Sequence, residues 1–162
     1  MGEDVKTGFV RRMTLTPMSG ITVLLAQLGG VVVFAVFQAL VFLLIGLVAG
    51  ARVEAGVLGT VLIVVLAAFF SVAFEALGLM VALLTRSSEA VQAVFPLFMA
   101  ALFFSSVGLP RELIQTDWFQ TVATYNPVSY LIEAPRSLLV EGWDAQALLL
   151  GVLVATGTLV TA

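Results

Sequence analysis

FFSSVGLPRELIQTDWFQTVATYNPVSYLIEAPRSLLVEGW, residues 103–143, is the stretch around which this chain is organised. An uncharged run ends in it at Gly108-Leu109-Pro110. Pro110 suits the first position of a short helix. On that helix Leu109, Ile114, Trp118, Phe119 and Val122 make an apolar side, and Arg111, Glu112, Gln115 and Asp117 a wet one. Asn126-Pro127 marks a second helix start, with a capping side chain and then a residue that has no donor to leave unsatisfied. The second piece, 128–140, is too short to span a bilayer, and Pro135 is expected to break its hydrogen-bond ladder near the middle. Trp118, Tyr125, Tyr130 and Trp143 favour the headgroup level, which places the insert at a membrane interface. Two arrangements stay open. One is a re-entrant, lid-like helical pair, whose freed backbone groups need protein or water around them. The other is an external loop of two surface helices. The first is preferred.

Away from this insert the chain is built for lipid. Of its 162 residues, 61% are hydrophobic and 10% charged, with a mean hydropathy of +1.16. Soluble domains are about a quarter charged. A spanning helix needs ~20 mostly apolar residues. Residues 13–51, 90–110 and 145–162 carry no charge, and 55–85 carry only Glu75. The expectation is therefore an all-α membrane protein with four transmembrane helices, near 19–50, 57–84, 90–106 and from 145 onward. No cleavable leader is visible. Cysteine and histidine are absent, which excludes disulfides, thiol chemistry and His-based metal or acid–base sites. No cofactor is expected. Neither Asp117 nor Asp144 sits mid-span, so paired membrane carboxylates are missing as well. A net charge of -3 spread over loops suggests no nucleic-acid partner.

The few polar residues inside the spans are the candidate sites. Gln27 and Gln38 are about three helical turns apart and share a face. Such amides usually bond across helix interfaces, so packing is favoured over substrate contact. Gly46 and Gly50 make a small-residue pair of the kind that lets helices approach. Thr60, Ala67, Ser71, Glu75 and Gly78 fall near one stripe of the second span. Glu75 is the one ionisable residue well inside a span, and such residues are costly in lipid. Either it serves function, or it is a protonated or hydrogen-bonded packing residue. The short loop 51–56 makes the first two spans antiparallel neighbours. Ser88 is placed to cap the third span, and Pro96 should kink it. Ahead of the first span, Lys6, Arg11 and Arg12 alternate with Phe9, Val10 and Met13, a short basic amphipathic segment suited to the interface. Lys6, Arg11, Arg12 and Arg86 fall on one side of the membrane. Arg52, Arg111 and Arg136 fall on the other, among most of the acidic residues. The first side is the cytoplasmic one by the positive-inside rule.

Three stretches together resemble a known family. They are Gly8-Phe9-Val10-Arg11-Arg12-Met13 ending at Thr16-Pro17, then Thr85-Arg86-Ser87-Ser88-Glu89-Ala90, then Gly108-Leu109-Pro110 with Trp118, Tyr125-Asn126-Pro127, Tyr130, Glu133, Arg136 and Gly142. The chain resembles the membrane subunit, or permease, of ABC-2-type exporters, a class that includes drug-resistance and polysaccharide or lipid exporters. The resemblance implies a cytoplasmic amphipathic coupling helix carrying Phe9, Arg11, Arg12 and Met13, onto which a separate ATP-binding subunit docks. It implies a second permease copy, as homodimer or heterodimer, with the path between the halves. It implies that Pro110, Trp118, Asn126, Pro127, Tyr130, Glu133 and Arg136 belong to an extracytoplasmic re-entrant pair that closes the exit. It places the protein in the plasma or inner membrane as a multi-pass chain among lipids. The chain departs from the family in counting four spans of a usual six, so residues 1–162 are expected to be one truncated transmembrane domain. It departs also at Pro135, at Phe9 and Val10 in place of Thr-Leu, and at Arg11, where an acid is common. The implied cargo is hydrophobic or amphipathic. The alternative is a non-transporting accessory or immunity-type membrane protein.

Overall fold

The computed structural model describes residues 20–86, 88–108 and 110–162. Among the described residues the secondary structure is helical throughout. Helix α1 is Gly20–Val48, α2 is Gly56–Thr85 and α3 is Ser88–Phe103. A 3-10 turn, Arg111–Leu113, precedes α4 (Asp117–Tyr125), α5 (Pro127–Val140) and α6 (Ala145–Thr161). Among the described residues two stretches are long and apolar enough to cross a membrane: Leu24–Val48, with 25 residues, and α2, with 30. Helices α3 and α6, with 16 and 17 residues, are ~24–26 Å long, a little under the ~30 Å hydrocarbon core.

The elements begin and end where the local chemistry dictates. Gly50 (φ 90) and Gly56 (φ 68) bracket the turn between α1 and α2, in a left-handed region that glycine enters without strain. Gly50 is thus a turn residue beyond α1, and nothing lies within 4 Å of where its Cβ would be. The expected Gly46–Gly50 packing pair is corrected on that ground. The close approach occurs instead at Gly151, where a Cβ would stand 2.6 Å from the Ala134 Cβ and 3.0 Å from the Tyr130 carbonyl. Arg86 adopts φ 52 and donates its N–H to the Ala82 carbonyl, closing α2. Ser88 is the first residue of α3, so it sits one position inside the helix that it was expected to cap.

The packed centre lies where α2, α5 and α6 meet. Ile63 and Leu66 of α2, Ala134 and Leu138 of α5, and Ala55 of the α1–α2 turn form one buried cluster. Phe70, Leu62, Leu139 and Leu148 pack around it. The Glu54 and Ala55 N–H groups donate to the Leu139 and Leu138 carbonyls at 3.3 and 3.1 Å. They satisfy two acceptors that the C-terminal end of α5 would otherwise leave open. Leu138 reaches Gly59, whereas Ala134 and Phe70 meet around Gly151. Helix α5 therefore runs antiparallel beside the first half of α2, and α6 packs on both. Helix α1 packs only on α2 among the described residues.

Two expectations for the insert change. The stretch after Pro110 is not one amphipathic helix. Pro110 is extended (φ -51, ψ 143), and Ile114 and Thr116 are extended too (ψ 110 and 109). The break turns Ile114 into the protein interior, where it is buried. Pro135 does not break α5, which is continuous from Pro127 to Val140. It removes one rung of the ladder. The buried Ala134, Ser137 and Leu138 on either side, with Ser137 Oγ donating to the Ala134 carbonyl at 2.9 Å, hold the helix across the gap.

Candidate functional site: the polar helical insert and a polar pair between the long helices

Most of the polar chemistry of the described chain gathers on the stretch quoted at the outset. Asn126 starts α5 as expected. Its Oδ1 accepts from the Val128 N–H at 3.0 Å. Its Nδ2 donates to the Ala101 carbonyl at 2.6 Å, in the last turn of α3. One amide thus caps α5 and ties it to α3. Beside it, the Ser106 N–H donates to Ser129 Oγ at 3.1 Å, and both serines are buried. Pro127 fills the first helical position.

One turn further along α5, Glu133 receives two hydrogen bonds from Arg111, Nε to Oε1 at 2.7 Å and Nη2 to Oε2 at 2.5 Å. The fork geometry suits a carboxylate. The Arg111 guanidinium also lies over the Tyr130 ring, 4.4 Å from its centroid. Burial works against the charge on Arg111, but Glu133 and Tyr130 outweigh it, so its pKa stands above the ordinary arginine value. The Tyr130 hydroxyl donates to the Thr124 carbonyl at 2.8 Å, and Gln120 Nε2 donates to the Arg111 carbonyl at 3.1 Å. The 3-10 turn, α4 and α5 are therefore bound into one unit. Arg136 Nη2 donates to the Val107 carbonyl at 2.8 Å. Trp118 is exposed and meets Phe119 edge-on.

The α6 side closes the unit. Gly142 (φ 94) donates its N–H to the Ser137 carbonyl at 2.8 Å and turns the chain. Asp144 then caps α6, accepting from Gln146 N at 2.8 Å and Ala147 N at 3.2 Å. A polar cleft of about 350 Å³ opens between the 3-10 turn, α4, α5 and α6. Arg111, Glu133, Arg136, Glu141, Asp144 and Gln146 line it, with Leu150 among its apolar contacts.

The second constellation lies between the two long helices. Gln27 Nε2 donates to Glu75 Oε1, joining α1 to α2. The hydrogen-bonded packing reading of Glu75 thus acquires a named partner. Ser71, one turn before Glu75, donates to its own helix at the Ala68 carbonyl, 2.7 Å away. Gln38 is exposed and stands apart from the pair. Phe9, Arg11, Arg12 and Met13 lie outside the described residues.

Sequence reading missed the partner of Glu133. The sequence pattern puts Arg111 on the wet side of a helix, and 22 residues separate the two. No helical spacing connects them; an opposite charge across a predicted chain reversal was the only available signal. The Ser106–Ser129 contact left no signal, since serines flanking a turn are commonplace. Tyr125 and Trp143 flank the two ends of α5, a helix of 14 residues and so ~21 Å long.

No curated protein and no solved structure among those compared matches the chain. A family model described as ABC-2 type transporter matches residues 4–140, a span that takes in α1 to α5 and the segment ahead of them. An all-helical chain with two long apolar spans and a polar helical insert after the third helix accords with that match. The chain belongs to the ABC-2 type transporter membrane family.

Proposed function

We propose that the chain is the permease subunit of an ATP-binding-cassette exporter, carrying a hydrophobic or amphipathic cargo (drug, lipid or glycan type) with energy from a separate ATPase subunit. The observation that carries this is family membership across residues 4–140. A permease needs no catalytic residue of its own; ATP hydrolysis belongs to the partner. Helices α1, α2, α3 and α6 act as the four membrane helices; α3 ends at the depth of the inner end of α5, where Ala101 receives Asn126, and α6 reaches across by modest thinning of the bilayer around it. The segment with Phe9, Arg11, Arg12 and Met13 couples to the ATPase on the cytoplasmic side. That side is assigned from Lys and Arg placement, in the plasma or inner membrane. A second permease copy supplies the other wall of the path.

Helices α4 and α5 act as the re-entrant element at the outer exit. Support comes from α5, which is ~21 Å long and lies beside the outer half of α2. Non-helical backbone at membrane depth persists only where protein satisfies it. The Asn126 bonds to Ala101 and Val128 do so at the inner end of α5, and the Ala55–Leu138 bond does so at the outer end. Pro110, Trp118, Pro127, Tyr130, Glu133 and Arg136 belong to this element. Gln27, Gln38, Ser71 and Glu75 hold the spans together or face the path.

The coupling surface can be tested directly because the chain has no cysteine. Met13→Cys, carrying a photo-crosslinker in native membranes, is expected to trap a protein with a phosphate-binding-loop ATPase domain. Capture of lipid or unrelated membrane proteins alone would leave the amphipathic segment merely interfacial and defeat the exporter reading.

A further inference from the structure

The cleft between α4, α5 and α6 carries charge that its own hydrogen bonds do not use. We propose that it seats the headgroup of a zwitterionic phospholipid, with the phosphate on Arg136 and the ammonium against Glu141. The proposal rests on the membrane location of the chain and is independent of transport.

Arg111 is already neutralised by its fork on Glu133. Arg136 is not. No carboxylate lies within ion-pair distance of it among the described residues. One of its terminal nitrogens donates to the Val107 carbonyl. The other, Nη1, is buried without an acceptor. A guanidinium presents five donors in a planar fork that suits a phosphate oxygen pair. A donor buried without a partner is a standing cost, relieved when an oxyanion reaches it.

The other sign is also present. Glu141 and Asp144 line the same cleft. Asp144 spends Oδ1 on the α6 cap, whereas Glu141 is exposed. With Arg111 and Glu133 cancelling, Arg136 faces two carboxylates. A purely anionic headgroup meets a net negative lining and is disfavoured. A phosphate that carries its own ammonium matches both signs.

The layout along α5 agrees. Glu141 and Asp144 line the cleft from the α5–α6 turn. Arg136 lies five residues before Glu141, roughly 7.5 Å further in along the helix axis. Leu150, about one and a half turns into α6, gives the cleft an apolar contact. Ammonium outermost, phosphate next and acyl chains innermost is the order in which a bilayer lipid presents its parts. A volume of about 350 Å³ falls within the usual range of small-ligand sites.

The test uses the full chain, purified without any ATPase from vesicles of equal phosphatidylethanolamine and phosphatidylglycerol, with retained lipid weighed by native mass spectrometry. Phosphatidylethanolamine should be retained with a roughly fivefold preference. Arg136→Gln should abolish retention. Glu141→Gln changes an exposed residue that the fold does not need, and it should erase the preference while keeping retention. Soluble glycerophosphoethanolamine should displace the lipid where inorganic phosphate does not. Retained lipid that mirrors the bulk, a preference that survives Glu141→Gln, or equal displacement by inorganic phosphate would overturn the proposal.

Discussion

Helices α1 and α5 represent opposite ways of holding a helix in a membrane protein. Helix α1 is apolar apart from Thr22, Gln27 and Gln38, packs on α2 alone among the described residues, and shows no buried residue along Leu24–Val48. Gln27 bonds to Glu75 across the two long helices. Helix α5 is half as long. Yet Val128, Ser129, Ala134, Ser137 and Leu138 are buried, and its two ends are bonded to α3 and to the α1–α2 turn. In lipid there is no hydrophobic drive between apolar helices, so packing, polar bonds and lipid entropy must do the holding. Helix α1 leaves its face to lipid or to another protein surface. Helix α5 carries polar residues that lipid would punish, and apart from Arg136 Nη1 they are answered from within the chain. The first design leaves a face uncovered; the second ties irregular backbone into one unit.

The contrast predicts a hierarchy of damage, best read by unfolding the purified chain in mixed micelles. Leu138 is 0% exposed at the meeting of α2 and α5. Leu138→Ala should cost about 2 kcal/mol or more, mainly through the cavity left behind. Arg111→Ala strands Glu133, and the pair is only 24% and 16% exposed. A loss of about 1.5–3 kcal/mol is expected, since bonds to charged groups are worth that much when cut. Equal stability in either variant would mean that α5 is not the fixed element described. The raised pKa of Arg111 adds no pH dependence in the working range. Its contribution is complete well below the unfolded arginine pKa and fades only as pH climbs through the higher folded value.

Smaller effects sharpen the comparison. Asn126→Ala removes the α5 cap and the tie to Ala101. It should cost about 1 kcal/mol and raise labelling of a cysteine placed at Tyr125, which is 83% exposed. Gln27→Leu should cost least, about 0.6 kcal/mol, the average measured for bonds between membrane helices. If Gln27→Leu proves worse than Asn126→Ala, then α1 is held more firmly than its contacts show, and the order of the two helices reverses.

Much of this was legible in the residues. Charge-free runs placed α1, α2, α3 and α6 to within a few residues, because lipid tolerates little else. Asn126-Pro127 announced the start of α5, because cap chemistry is local. What escaped was non-local or compensated. Pro135 argued for a break that the buried neighbours Ala134 and Leu138 override. Gly46 and Gly50 advertised close packing, whereas the true contact is Gly151 against Ala134, recognisable only once α5 and α6 are antiparallel. Arg111 and Glu133 meet because the chain reverses between them, which no periodicity records.

The most direct test of the re-entrant α5 is depth. Tyr125→Cys and Trp143→Cys both place a label at an exposed position, one beside each end of α5. Nitroxide labels at these sites, in the chain reconstituted in bilayers, can be ranged against lipid-soluble and water-soluble relaxation agents. If α5 descends beside α2, the label at 125 lies deeper than the label at 143 by roughly 10 Å or more, given a ~21 Å helix. If both labels sit together at the headgroups, α5 lies flat on the surface and the re-entrant account fails.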